Sequence, residues 1–212
     1  MSIILIFLLL LLAIPFFLVW GFLNIVTFSF EQLGLSAELA VLILVLMLVG
    51  SFFNIPLGRK KLVEVQVPYF FGLMRRPRMV VQGLSINVGG AIIPIVLAGH
   101  FFSFVPLQQT LLVTGFMIVV SWKLARFVPG KGIMIPAIFP ALLAAIFAFV
   151  FVPEFAGPVA FISGVFGVLI GADLLHLPKV QREASGMMSI GGAGVFDGIF
   201  LIAIISALLT SF

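Results

Sequence analysis

Apolar stretches near twenty residues long, parted by short polar connections, constrain this chain more tightly than any other feature. About twenty consecutive apolar residues make a helix that crosses the roughly 30 Å hydrocarbon core of a bilayer. Such stretches fall at about 3–27, 37–56, 80–102, 107–126, 133–152, 157–176 and 189–211. They predict an all-α fold: one transmembrane domain over 1–212, a polytopic bundle of about seven helices. Composition agrees, with 63% apolar and 8% charged residues, where soluble chains carry roughly a quarter charged. The first run lacks a basic leader and a small-x-small cleavage site, so it reads as a retained helix.

The basic residues test the helix count. Arg59, Lys60, Lys61, Arg75, Arg76 and Arg78 follow the second span; Lys123, Arg126 and Lys131 flank the junction of the fourth and fifth; Lys179 and Arg182 separate the sixth and seventh. The opposite connections hold Glu31, Glu38 and Glu154 and no basic residue. The positive-inside rule then sets the N-terminus in the cytoplasm and the C-terminus outside, in an integral multi-pass protein of the cell (inner) membrane. The net charge of +4 is thereby a matter of topology, and no nucleic-acid partner is expected. The segment 58–78 mixes Val63, Val65, Val67, Tyr69, Phe70 and Phe71 with basic residues. It reads as a basic interfacial loop resting on membrane lipid.

Chemistry is expected where polar residues enter the spans. A carboxylate in hydrocarbon costs several kcal/mol unless neutralised, hydrated or paired. Two qualify, 24 residues apart: Asp173 near the cytoplasmic end of the sixth span and Asp197 early in the seventh. The sixth descends to the cytoplasm and the seventh rises from it, so both aspartates approach one depth. Two carboxyls held close share a proton, which lets one activate water while the other protonates a carbonyl oxygen. Gly191, Gly192 and Gly194 precede Asp197 and permit an extended entry or close helix contact. Asn87 in the third span and Pro140 in the fifth are further candidates for positioning a substrate. Ser85-Ile86-Asn87-Val88-Gly89-Gly90-Ala91 also echoes Ser189-Ile190-Gly191-Gly192-Ala193, the pattern of a diverged repeat.

His176, three residues after Asp173, shares its helix face and reads as interfacial, as does His100. Neither cysteine nor a His-Glu-x-x-His, Walker, Rossmann or serine-elbow motif occurs, so neither metal nor cofactor is expected.

Gly194-Val195-Phe196-Asp197 resembles the second-aspartate motif of the GxGD-type intramembrane aspartyl proteases, the group of presenilin, signal peptide peptidase and prepilin peptidase. Phe196 stands where the stricter motif has glycine, and Ala172 where presenilin has tyrosine. A Pro-Ala-Leu triplet occurs at Pro140-Ala141-Leu142, ahead of the aspartates rather than after them. Gly191-Gly192-Ala193-Gly194-Val195-Phe196-Asp197-Gly198-Ile199-Phe200 also resembles the signature of a family of prokaryotic polytopic membrane proteins. The resemblance implies Asp173 and Asp197 as the catalytic dyad and a transmembrane peptide or protein as substrate. A cation- or proton-coupled transporter using the same two aspartates, and a noncatalytic scaffold, remain open beside it.

Overall fold

The computed structural model describes residues 33–69, 74–128, 132–136, 138–179 and 186–192, most positions between 13 and 31, and Ile202 and Ile205. It corrects the seven-helix, all-α expectation. Among the described residues two helices are long and apolar enough to cross a bilayer, Leu107–Leu124 and Pro153–Lys179, and they coincide with the fourth and sixth expected spans. Ala37–Gly50, Val88–Phe101 and Ile138–Phe151 are apolar but shorter. At 14 residues, Ala37–Gly50 and Ile138–Phe151 rise only about 21 Å, well short of the hydrocarbon core.

The missing helical length has become sheet. After α1 (Ala37–Gly50) the chain turns at Ser51–Phe53 into β1 (Asn54–Tyr69), which pairs antiparallel with β2 (Met74–Asn87). The segment expected to rest as a loop is therefore a long hairpin, and the first eight residues of the expected third helix belong to it. The local reason is plain in the residues. Val63-Glu64-Val65-Gln66-Val67 alternates with a period of two, the mark of a strand. Pro56, Pro68 and Pro77 would each cost a helix interior about 3 kcal/mol. Register shifts between Leu57 and Lys61, where Gly58 takes φ +79°, a left-handed conformation natural to glycine at a bulge.

From Asn87 the chain enters a π-helical turn, Val88–Ile92, that runs on into α2 (Ile93–Phe101). α3 (Leu107–Leu124) follows, then a short hairpin of β3 (Arg126–Val128) and β4 (Gly132–Met134), then α4 (Ile138–Phe151). A 3-10 turn at Pro153–Phe155 leads into α5 (Ala156–Phe166), whose helix continues as a π-helical segment, Gly167–Leu174. β5 (Met187–Ile190) pairs parallel with β2, making a sheet ordered β1-β2-β5. The expected seventh helix thus begins as a strand. Described positions between 13 and 31, and Ile202 and Ile205, are helical.

α5 is the centre of the molecule. Val159, Ala160, Phe161, Ile162 and Val165 are fully buried, and Phe161 meets Phe101 of α2 edge to face at 5.4 Å. Glycines let α3 approach the same helix. A Cβ at Gly167 would lie 2.6 Å from the Met117 Cβ, and one at Gly171 would overlap the Ile118 carbonyl oxygen. Small residues at such contacts are how helices pack closely where water provides no drive. The outside is apolar too: α3 exposes Leu107, Leu111, Leu112, Phe116 and Val119, and α4 exposes Phe139, Leu142, Ile146 and Phe149.

Candidate functional site

Both π-helical segments of the described structure border one junction, where the end of α1, the root of the hairpin, β5 and the end of the α5 helix meet. π-helical turns are rare and recur at functional sites.

The junction is assembled around Asn87. Its side chain is 3% exposed, and its Oδ1 accepts from the Gly90 N–H at 2.7 Å, capping the turn that follows. Its Nδ2 donates to the Ser51 carbonyl at 2.8 Å and to Asn54 Oδ1 at 3.1 Å. One amide thus ties the end of α1, the first residue of β1 and the start of the next helix. Ser189 Oγ donates to the same Asn54 Oδ1, and Ser85 Oγ donates to the Met188 carbonyl at 3.0 Å. Together these bonds fasten β5 to the hairpin root.

The two echoing sequence segments lie side by side. β2 and β5 pair Ser85 with Ser189 and Ile86 with Ile190, and a glycine pair follows each strand, Gly89-Gly90 after Val88 and Gly191-Gly192 at once. The backbones then come closer than side chains would allow. A Cβ on Gly90 would overlap the Gly191 carbonyl oxygen, and one on Gly89 would overlap the Met47 carbonyl oxygen. Gly191 also holds φ +65°, and a Cβ there would sit 2.7 Å from the Ala91 Cβ.

Asp173 completes the junction. It projects from the π-helical segment, part-buried, and its Oδ2 accepts from the Gly191 N–H at 2.9 Å. The structure therefore brings the first candidate aspartate onto the first candidate glycine. Gly192 is adjacent and exposed. Asn87 reaches the same junction, but as a cap and brace whose amide is engaged by backbone and by Asn54. Pro140 is buried in the first turn of α4, a helix whose main packing partners are α5 and α3. Gly194 and Asp197 lie outside the described residues. His176 folds back on its own helix, its Nδ1 3.2 Å from the Gly171 carbonyl oxygen.

Asn54, Ser51 and Gly50 escape sequence reasoning although they build the junction. The Ser-Ile-Gly-Gly-Ala echo signals only the pairing of β2 with β5, and none of these three residues lies in it.

Residues 48–209 match the family described as protein of unknown function (DUF1614). The chain belongs to that family. The matched region begins in the last turn of α1 and takes in the hairpin, Asn87, both glycine pairs and both aspartates. No curated protein and no solved structure matches the chain.

Proposed function

We propose that this chain is a multi-pass integral protein of the cell (inner) membrane and that the Asp173–Gly191 junction belongs to an intramembrane aspartyl protease acting near the cytoplasmic face. Two long apolar helices and the apolar outer faces of α3 and α4 support the membrane part, because soluble monomers rarely expose such continuous apolar surface.

One observation carries the catalytic part: the Gly191 N–H to Asp173 Oδ2 bond. It fixes Asp173 on the turn that opens the Gly-Gly-Ala-Gly-x-Phe-Asp motif. Asp197 follows Gly191 by six residues, so their Cα atoms are at most about 22 Å apart.

In this reading the two carboxyls share one proton. The ionised carboxylate takes a proton from a water as its oxygen bonds to the peptide carbonyl carbon, and the protonated partner gives its proton to the carbonyl oxygen. The amide nitrogen is then protonated, the C–N bond breaks, and a carboxylic acid and an amine leave. Gly191 is packed against Gly90 and Ala91, so in this reading exposed Gly192 and Gly194 offer the backbone that a transmembrane peptide approaches as an extended strand.

The parallel pairing of the two echoing segments favours a second reading. Paired repeats that run into interrupted helices are also how small transporters build a cation or proton site.

Full-length protein in proteoliposomes with a transmembrane peptide separates the two. The protease reading expects cleavage that falls at least about 100-fold in Asp173→Asn and in Asp197→Asn, and inhibition by a hydroxyethylene peptide isostere. Cleavage that survives Asp197→Asn rules out the dyad. Ion flux lost in both variants, with no peptide cut, establishes the transporter instead.

A further inference from the structure

Beyond the pairing with β5, no further strand joins the hairpin among the described residues, and it continues as a two-stranded ribbon. β5 reaches only Gly83–Ile86 of β2, whereas β1 and β2 stay paired from Lys61↔Gln82 out to Tyr69↔Met74. That distal part is about 26 Å long. An isolated hairpin is marginal in water, so this one needs a surface against it.

The register makes the ribbon two-faced. Directly opposed residues of an antiparallel pair share a face, and faces alternate along each strand. Leu62, opposite Val81, and Met79, opposite Glu64, lie on one face. Leu62 is 70% and Met79 66% exposed. Lys61, Val63 and Val80 lie on the other, with Arg78 and Arg76 following Val80 along β2. Between Asn54 and Asn87 there are six basic residues and a single acid, Glu64. The root carries Phe52 and Phe53, both exposed, and α3, which packs on the α5 helix, ends in exposed Trp122 and Lys123. Aromatic and basic side chains at the ends of apolar helices mark the level of a headgroup region.

We propose that the distal hairpin is an anionic-lipid-binding arm that lies on the membrane surface next to the junction. This rests on the membrane reading above. The apolar face with Leu62 and Met79 enters the boundary between headgroups and acyl chains, and Lys60, Lys61 and Arg78 reach lipid phosphates. Charge complementarity selects the occupant. A second protein strand added to β1 is disfavoured, because Pro56 and Pro68 withhold N–H groups and Lys60 and Lys61 line the edge. A nucleic acid would leave the apolar face in water.

The chain has no cysteine, so a single Leu62→Cys carries an environment-sensitive fluorophore cleanly on the full-length protein. The protein is reconstituted in nanodiscs of phosphatidylcholine, alone or with about 30% phosphatidylglycerol, each doped with a lipid-borne quencher. Several-fold stronger quenching is expected with the anionic lipid, lost in 0.5 M salt (about a 4 Å Debye length) and in Lys60→Gln/Lys61→Gln/Arg76→Gln/Arg78→Gln. Equal quenching in both lipids overturns the electrostatic arm. No quenching in either, with a response to added RNA instead, overturns it in favour of nucleic acid. Alkaline carbonate washing of the same protein from vesicles distinguishes the premises: stripping refutes the membrane reading itself, whereas a retained protein with an unquenched label refutes only the arm.

Discussion

The two copies of the Ser-Ile-…-Gly-Gly-Ala segment begin alike and are finished differently. Both form a strand that runs into a glycine pair, and they lie in register against one another. The first copy closes itself: Asn87 caps the Gly90 N–H from three residues away. The second copy lacks the Asn-Val dipeptide, and its Gly191 N–H is met by a carboxylate from another helix, Asp173. A local cap is self-sufficient and needs nothing from the rest of the fold. A cap borrowed from a distant carboxylate brings an acidic group to a place where a neutral side chain would have served the turn. On the proposed reading, the first copy braces the junction and the second carries the chemistry.

The contact between the copies offers the sharpest way to break this account. Gly90→Ala forces a methyl into the Gly191 carbonyl, and Gly89→Ala forces one into the Met47 carbonyl. Each should destabilise the protein by about 3 kcal/mol or more, read from thermal unfolding in detergent. Gly99→Ala and Gly115→Ala are the controls, since nothing lies within 4 Å of a Cβ there; helical alanines at these sites should be neutral or stabilising by about 0.5–1 kcal/mol. A Gly90→Ala protein as stable as Gly115→Ala would mean that the two copies do not touch as described.

The next contrast sets the copies against each other. Asn87→Ala removes a cap and two donated bonds and should cost about 2 kcal/mol, yet the protein that remains folded should keep its peptide cleavage. Asp173→Asn keeps an oxygen able to accept the Gly191 N–H and should cost about 1 kcal/mol or less, yet abolish cleavage. Reversal of that pattern would make Asn87 the functional residue and Asp173 the brace. Smallest of all, Ser85→Ala loses the bond to the Met188 carbonyl and should lower stability by about 1 kcal/mol, without altering the pH profile or rate of cleavage.

Much of this was visible in the residues, and the failures have physical causes. The long apolar runs at 107–126 and 157–176 form long helices because their interiors hold no proline beyond the first turn, and Gly167 and Gly171 serve the contact with α3. Asp173 stood out because charge in such a run needs a reason. The hairpin differs from the expected loop because Val63, Val65 and Val67 alternate with polar neighbours at the period of a strand, a pattern that the basic residues around it obscure. The second expected span was drawn too long because Phe52, Phe53 and Ile55 are apolar, although Asn54 and Pro56 sit among them and the helix stops at Gly50. The strand at Met187–Ile190 is a different case. Its partner is Gly83–Ile86, and the Ser85 to Met188 bond spans 103 residues. A four-residue strand of this kind forms only because a distant edge is present, so no local pattern announces it.

The central claim is that Asp173 is held on the Gly191 turn in order to meet Asp197. An experimental structure of the full chain in a lipid nanodisc, resolved to side chains, tests it most directly through the separation of the two carboxyl groups. The account predicts Asp173 Oδ2 within hydrogen-bond distance of the Gly191 N–H and the two carboxyls within about 7 Å around a shared, wet cavity. Carboxyls more than about 10 Å apart and facing different cavities, with the Gly191 bond intact, would contradict it.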